Sequence, residues 1–107
     1  MAGERTLVLG QDEARGEFFG LVEDARELGY MTLRRVHDEG IIIDHTIVHP
    51  EAEGQGVGSA LFALVVAWIE ARGLYLVPVC PFVLGRLNKR PELADCRAVP
   101  RGPLPQR

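Results

Sequence analysis

The sequence has few cysteines and no long apolar run, and each of these features excludes certain classes of protein. Its two cysteines, Cys80 and Cys96, lack metal-type spacing and are too few for a disulfide framework. The most apolar segment, residues 57–69, is too short to span a membrane. The first four residues have neither a basic stretch nor an apolar core, so we expect no signal peptide. These features favour a cytoplasmic protein with reduced thiols.

Size and charge restrict the chain further. With 107 residues, of which 47% are hydrophobic, it suits one small domain with a modest core. A net charge of −3 favours neither membrane surfaces nor nucleic acids as partners. Residues 1–53 carry 12 acidic and 5 basic side chains (net −7), whereas residues 54–107 carry 3 and 7 (net +4). An anionic cofactor beside the second half and a cationic amine beside the first would match this split, although solvated charge explains it equally well.

Hydrophobic periodicity predicts a mixed α+β fold. We expect strands at residues 18–22, 28–36, 41–48 and 74–79 and helices at residues 59–72 and 81–89. The segment 1–16 reads as a weakly ordered lead-in with at most one short strand at 6–9. Residues 17–95 form the predicted domain, and the proline-rich segment 96–107 is expected to be disordered.

Three local features complete this prediction. Ile41, Ile42 and Ile43 are β-branched, which indicates a central strand buried on both faces. Residues 37–40 form a hairpin turn in which Gly40 suits a left-handed conformation. The first helix is apolar on two sides, so either it packs on both sides within the chain or a second copy covers it in a homodimer.

A glycine-rich turn between the third of these strands and the first helix is the clearest functional signal. It reads Gly54-Gln55-Gly56-Val57-Gly58. Glycines let successive amides face one anion, and the following helix adds unpaired N–H groups and a positive dipole end. The turn has neither the Gly-Lys-Ser/Thr ending of a P-loop nor the Gly-x-Gly-x-x-Gly spacing of a Rossmann site. This favours a diphosphate bound without phosphoryl transfer, and coenzyme A is such a ligand.

Four segments together resemble one family. They are residues 44–48 (Asp-His-Thr-Ile-Val), 53–61 (Glu-Gly-Gln-Gly-Val-Gly-Ser-Ala-Leu), 78–83 (Pro-Val-Cys-Pro-Phe-Val) and 90–93 (Arg-Pro-Glu-Leu). Over roughly residues 17–95, the chain resembles a small GCN5-related N-acetyltransferase of the YjdJ type. The resemblance implies a mainly antiparallel sheet that splays open, with acetyl-coenzyme A lying in the splay.

The resemblance also implies which residues hold the cofactor. Backbone groups of Ile47 and Val48 would pair with the pantetheine arm, and a second set would hold the diphosphate. That set is Gly54, Gln55, Gly56, Val57, Gly58 and Ser59. Two positions depart from the family pattern: Glu53 stands where Arg or Gln is common, and Arg86 stands where an aromatic residue is usual. We expect Glu53 to point outward, away from the phosphates.

Two residues are candidate catalysts, and each has an ordinary structural explanation that is equally strong. Cys80 precedes Pro81, so it would cap a helix with its sulfur near the positive dipole end, which favours a thiolate. It could accept the acetyl group, or protonate the coenzyme sulfur in direct transfer; a buried unreactive thiol is the alternative. His45 is the candidate base, against a purely structural histidine. A metal site is not expected, because His45 and His49 would lie about 13 Å apart in a strand.

The predicted function is transfer of an acetyl group from acetyl-coenzyme A to an unidentified primary amine, a small molecule or a protein. Arg86, Lys89 and Arg90 would meet the coenzyme's phosphates if their helix face is not simply solvated. The alternative is a non-catalytic module that binds or senses acetyl-coenzyme A, which the missing aromatic at Arg86 favours. A third interpretation is an interaction domain that uses the first helix.

Overall fold

A computed structural model of the protein describes residues 4–89, except for the side chain of Asn88. Within these residues, five strands and two α-helices follow one another along the chain. They are β1 (Arg5–Asp12), β2 (Gly16–Glu23), β3 (Arg26–Val36), β4 (Gly40–Val48), a 3₁₀ turn (Pro50–Ala52), α1 (Val57–Ala71), β5 (Tyr75–Pro78) and α2 (Pro81–Lys89). The predicted strands and helices are all present, with ends that differ by up to three residues.

The strands form one sheet in the order β1-β2-β3-β4-β5. The first four strands run antiparallel, whereas β5 pairs parallel to β4. The β2–β3 hairpin turns through Asp24 and Ala25, both with positive φ, and this backbone twist matches the twist of paired strands. The predicted α+β class with a mainly antiparallel sheet is therefore confirmed.

Helix α1 connects β4 to β5 and covers one face of the sheet. Its apolar side chains pack with those of the strands in a single core. Gly29 of β3 makes room for the start of the helix, because a Cβ there would lie 2.9 Å from Cγ1 of Val57. The helix ends in a Schellman motif at Gly73 (φ 67°), where the amide of Leu74 donates to the carbonyl of Ile69 (3.1 Å).

The second apolar side of α1 is also buried within this chain. Phe62 and Val66 are only 4% and 5% exposed, and they join the same core as the sheet-facing residues. Of the two explanations for the apolar pattern, packing within the chain therefore accounts for these side chains, and a homodimer is not needed to bury them.

Three sequence predictions need correction. The lead-in contains the strand β1, which pairs with β2 along its whole length from Arg5 to Asp12, so a strand at 6–9 is too short. Gly40 has no positive φ; His37 takes that conformation (φ 53°), and Gly40 is instead needed for space beside the Tyr75 ring. Ile42 is only half-buried, because the sheet face opposite α1 is open there.

A β-bulge in β4 determines which side chains of this strand lie on the sheet face that α1 covers. Leu33 pairs with Ile43 while Thr32 pairs with His45, which leaves Asp44 as the extra residue. The extra residue shifts the alternation by one position. Ile41 and Ile43 face α1 before the bulge, and the even-numbered Thr46 and Val48 take that face after it.

The sheet opens at the same point. β5 pairs with β4 only from Gly40 to Ile43, whereas β4 continues to Val48. The chain after β5 turns away, and the amide of Cys80 donates to the carbonyl of Ile43 (2.9 Å). Beyond Ile43, β4 therefore has β3 on one side and a splay on the other.

Candidate functional site

The glycine turn lies at the far end of this splay and leads directly into α1. Gly54 and Gly56 have φ angles of 82° and 73°, a left-handed conformation that other residues adopt at a cost. Gly56 is the N-cap of α1, and because glycine has no side chain, no N-cap side chain bonds to the first amides of the helix. The first amides of a helix have no intrahelical acceptor, so this end of α1 offers N–H groups to an anion.

A cavity of about 240 Å³ opens in front of the turn. Its lining comes from the end of β4, the turn, the start of α1 and the helix α2; the residues are Val48, Ala52, Glu53, Gly54, Gly56, Val57, Gly58, Ser59, Phe82 and Arg86. Six of the eight predicted cofactor residues are thus brought together around one opening. Ile47 and Gln55 are the two that do not line it.

Helix α2 supplies one wall of this cavity through Phe82 and Arg86. The Phe82 ring lies against the start of α1, and a Cβ on Gly58 would come within 2.8 Å of its Cζ. Arg86 lies one helical turn further along, with its guanidinium carbon 5.1 Å from the centre of the Phe82 ring. Arg86 also lines an adjoining cavity of about 160 Å³ along α1. Arg86 therefore places a positive charge at the position where the family pattern usually has an aromatic residue.

Glu53 lies at the rim of the same cavity. Its side chain is exposed, in keeping with the expectation that it points outward, yet the residue contributes to the lining. A negative charge at this position weakens anion binding by Coulomb repulsion that solvent only partly screens.

Cys80 lies at the start of α2, as the sequence predicts. Its carbonyl accepts the first helical hydrogen bond, from the amide of Leu84 (3.0 Å), so it occupies the cap position. The side chain is 4% exposed and its sulfur lies 3.3 Å from Oγ1 of Thr46. The two helix N-termini, at Gly56 and Cys80, thus both border the splay beside β4.

His45 lies on the other face of the sheet. Its side chain is exposed, and together with Ile47 it lines an open cavity of about 610 Å³ on the face opposite α1. Because the bulge directs Thr46 toward α1 and His45 away from it, the two predicted catalysts are not brought together. Cys80 meets Thr46 instead.

Ion pairs surround the open cavity. Arg34 makes a bidentate pair with Asp44, at 2.8 Å for both bonds, and Arg35 makes one with Glu17, at 2.8 and 3.1 Å. The hydrogen bonds from these guanidinium groups lower the pKa of Asp44 and Glu17 below the ordinary values of 3.8 and 4.5. Both carboxyl groups are consequently ionised at neutral pH, and their charges are already neutralised.

Two residues of this site, Thr46 and Phe82, have no role that the sequence predicts beyond membership of a motif. The alternation that puts Ile41 and Ile43 on the α1 face would put His45 there too, so Thr46 carries no signal unless the bulge is known. Phe82 gains its place in the cavity wall only from the packing of α2 on Gly58.

Comparisons with known proteins identify the family. Residues 17–96 match the model of the family described as GCN5-related N-acetyl-transferase. The NMR solution structure of a GCN5-like candidate N-acetyltransferase from Staphylococcus aureus is similar to this chain, with 30% identity and a TM-score of 0.61. The match covers 89% of this chain and 91% of that one. No curated protein matches the chain.

The chain therefore belongs to the GCN5-related N-acetyltransferase family, and its class is that of an acetyltransferase enzyme. The family predicted from the four motifs is confirmed. Of those motifs, residues 90–93 lie outside the part of the chain that the structure describes, as do Arg90, Cys96 and the predicted tail. Neither of the two α-helices in residues 4–89 has the length and hydropathy that a membrane-spanning helix needs.

Proposed function

We propose that the protein transfers an acetyl group from acetyl-coenzyme A to a primary amine in the cytoplasm. One observation carries this proposal: α1 begins, without a side-chain cap, at a left-handed glycine turn that faces a cavity at the splay of β4 and β5. A diphosphate needs converging N–H donors, and a pantetheine arm needs free strand edge; both features occur here side by side.

The residues around the cavity fit this coenzyme. Gly54 and Gly56 have open space beside their α-carbons, so a ligand can approach the backbone closely. Arg86 supplies a positive charge in the lining, and Val48 supplies an apolar contact near the free edge of β4. We assign the diphosphate to Gly54–Ser59 with Arg86, and the pantetheine arm to the backbone of Ile47 and Val48.

When bound, acetyl-coenzyme A supplies an activated acetyl thioester. In the route that we favour, the Cys80 thiolate attacks the thioester carbonyl, so that a C–S bond forms to Cys80 while the bond between the acetyl carbon and the coenzyme sulfur breaks, and the released thiolate is protonated by water. The neutral amine then attacks the Cys80 thioester, the C–S bond breaks, the amine loses a proton, and the sulfur of Cys80 is released.

Thr46 supports this role for Cys80. A thiolate sulfur can only accept hydrogen bonds, so the hydroxyl at 3.3 Å donates to it when Cys80 is ionised. The positive end of the α2 dipole acts in the same direction. The Thr46 hydroxyl and the start of α2 are the two features beside the sulfur that would stabilise negative charge on it.

His45 fits a different step. It lines the open cavity on the face opposite α1, where an amine could bind. There it would accept the proton that the attacking amine loses, directly or through water. In direct transfer without a Cys80 thioester, His45 would keep this task and the Cys80 thiol would protonate the coenzyme sulfur.

Intact-protein mass spectrometry after incubation with acetyl-coenzyme A tests the proposal, on wild type and on Cys80→Ala and Cys96→Ala variants. We expect one acetyl adduct on wild type and on Cys96→Ala, none on Cys80→Ala, and release of the adduct by added amines. An adduct that persists in Cys80→Ala would refute the thioester. Coenzyme binding with no acetylation of any amine in a broad panel would instead favour the sensing module.

A further inference from the structure

Arg5, the first residue of the edge strand β1, reaches the glycine turn fifty positions away. Its Nη2 donates to the backbone carbonyl of Gln55 at 3.0 Å. The Nε of the same guanidinium donates to Oε1 of Glu23 at 3.0 Å. One side chain thus ties the outer edge of the sheet to the centre of the turn.

The fold presents Arg5 for this contact. Side chains two apart on a strand share a face, and Leu7 packs against the core beneath α1. Arg5 therefore faces the α1 side, where the turn lies. Glu23 is its direct partner in the β1–β2 register and is only 15% exposed, so the guanidinium is held between two acceptors.

This contact fixes the direction of an amide in the turn. The Gln55 carbonyl and the Gly56 N–H belong to one planar trans peptide and point in opposite directions. When Arg5 holds the carbonyl on its side, the Gly56 N–H points the other way. A rotated peptide would exchange the two groups, and because that rotation changes φ of Gly56, a residue without a Cβ, few steric barriers oppose it.

We propose that Arg5 is a positioning residue for the diphosphate site: it holds the Gln55–Gly56 peptide with the N–H, not the carbonyl oxygen, available to the phosphates. Gly56 lines the cavity in front of the turn and Arg5 does not, so Arg5 acts through the peptide. The inference rests on the proposed binding of acetyl-coenzyme A. It makes the edge strand part of the cofactor site.

The test compares two ligands that share the pantetheine arm, of which only coenzyme A carries the diphosphate with its phosphoadenosine. Coenzyme A and S-acetylpantetheine are titrated, with NMR detection, into wild type, Arg5→Gln, Arg5→Lys and Glu23→Gln. Loss of a charge-assisted hydrogen bond predicts about a tenfold rise in the Kd for coenzyme A in both Arg5 variants and a smaller rise in Glu23→Gln. The Kd for S-acetylpantetheine should stay unchanged. Arg35→Gln, which breaks the ion pair with Glu17 on the open face, is the matched control and should change neither Kd.

The backbone dynamics of Gly56 give a readout that does not need a ligand. In the Arg5 variants, the heteronuclear ¹⁵N NOE of the Gly56 amide should fall, while those of β2 and β3 stay at wild-type values. A wild-type NOE in Arg5→Gln would overturn the proposal.

Other outcomes separate the explanations. Full coenzyme A affinity in Arg5→Lys with loss in Arg5→Gln would show that charge alone matters, which overturns positioning. Equal losses for both ligands would show a general structural role and also overturn it. If wild type binds coenzyme A and the Arg5 variants bind it equally well, only the role of Arg5 fails; if wild type does not bind, the proposed function fails with it.

Discussion

The hydroxyl oxygen of Thr46 lies 3.3 Å from the sulfur of Cys80, across the gap between β4 and the start of α2. The contact exists because the bulge at Asp44 directs Thr46 toward the helices. An uninterrupted strand would place His45 there, since Ile41 and Ile43 face α1 before the bulge. A single extra residue in β4 therefore selects which side chain accompanies the candidate nucleophile.

Replacing Thr46 tests that relationship. Thr46→Val keeps the shape of the side chain but removes the donor to the sulfur. Since one hydrogen bond contributes about 1 kcal/mol, we expect alkylation of Cys80 by iodoacetamide at pH 7 to slow about five- to tenfold. Thr46→Ser keeps a hydroxyl and should react at close to the wild-type rate. Equal rates in all three proteins would mean that the contact does not activate Cys80.

Two glycine substitutions should have opposite effects on stability. Gly56→Ala places a Cβ in the left-handed region, which costs roughly 1–2 kcal/mol, and it should also weaken coenzyme A binding. Gly85→Ala lies within α2 with open space around it, and it should stabilise the protein by about 0.5–1 kcal/mol. Urea unfolding measures both. A Gly56→Ala protein as stable as wild type would contradict the conformation assigned to the turn.

Arg86 should contribute to coenzyme binding through its charge. It lines the cavity before the turn, whereas Lys89 is exposed on the same helix and lines none of the cavities described above. We expect Arg86→Gln to weaken coenzyme A binding about tenfold at low salt, and less at high salt, because screening already weakens the wild-type attraction. Lys89→Gln is the matched control. Equal effects of the two substitutions would point to long-range charge alone.

The ion pair between Asp44 and Arg34 should make the free energy of unfolding depend on pH in the acid range. The hydrogen bonds from Arg34 lower the pKa of Asp44 below 3.8 in the folded protein. A lowered carboxyl pKa contributes stability that is present above the unfolded value and is lost as the pH falls through the folded value. Asp44→Asn should therefore show a shallower loss of unfolding free energy below about pH 5. Urea unfolding at pH 7, 5 and 3 measures these free energies. An equal loss of unfolding free energy in Asp44→Asn and in wild type would contradict the prediction.

The sequence is sufficient to predict the parts of the molecule that depend on local chemistry. Alternating and β-branched residues predict the strands, Gly73 ends α1, and Pro81 begins α2 with Cys80 at the cap. The glycine turn is predictable for the same reason, because left-handed backbone at Gly54 and Gly56 is a property of residue type.

The features that the sequence does not predict depend on contacts between distant residues. The bulge at Asp44 is visible only in the pairing of β3 with β4, and nothing in the sequence alternation marks it. The segment of β1 is polar and predicts weak order, yet pairing with β2 forms the strand. The bond from Arg5 to Gln55 spans fifty residues and leaves no local signal.

The most direct test of the proposed coenzyme site is an NMR titration of the full chain with coenzyme A. We predict saturable 1:1 binding, with the largest amide shifts at residues 54–59 and along the free edge of β4 at residues 44–48. Shifts confined to the open face around His45 and Arg34 would contradict the assignment of the glycine turn, and the absence of any saturable shift would contradict the proposed function itself.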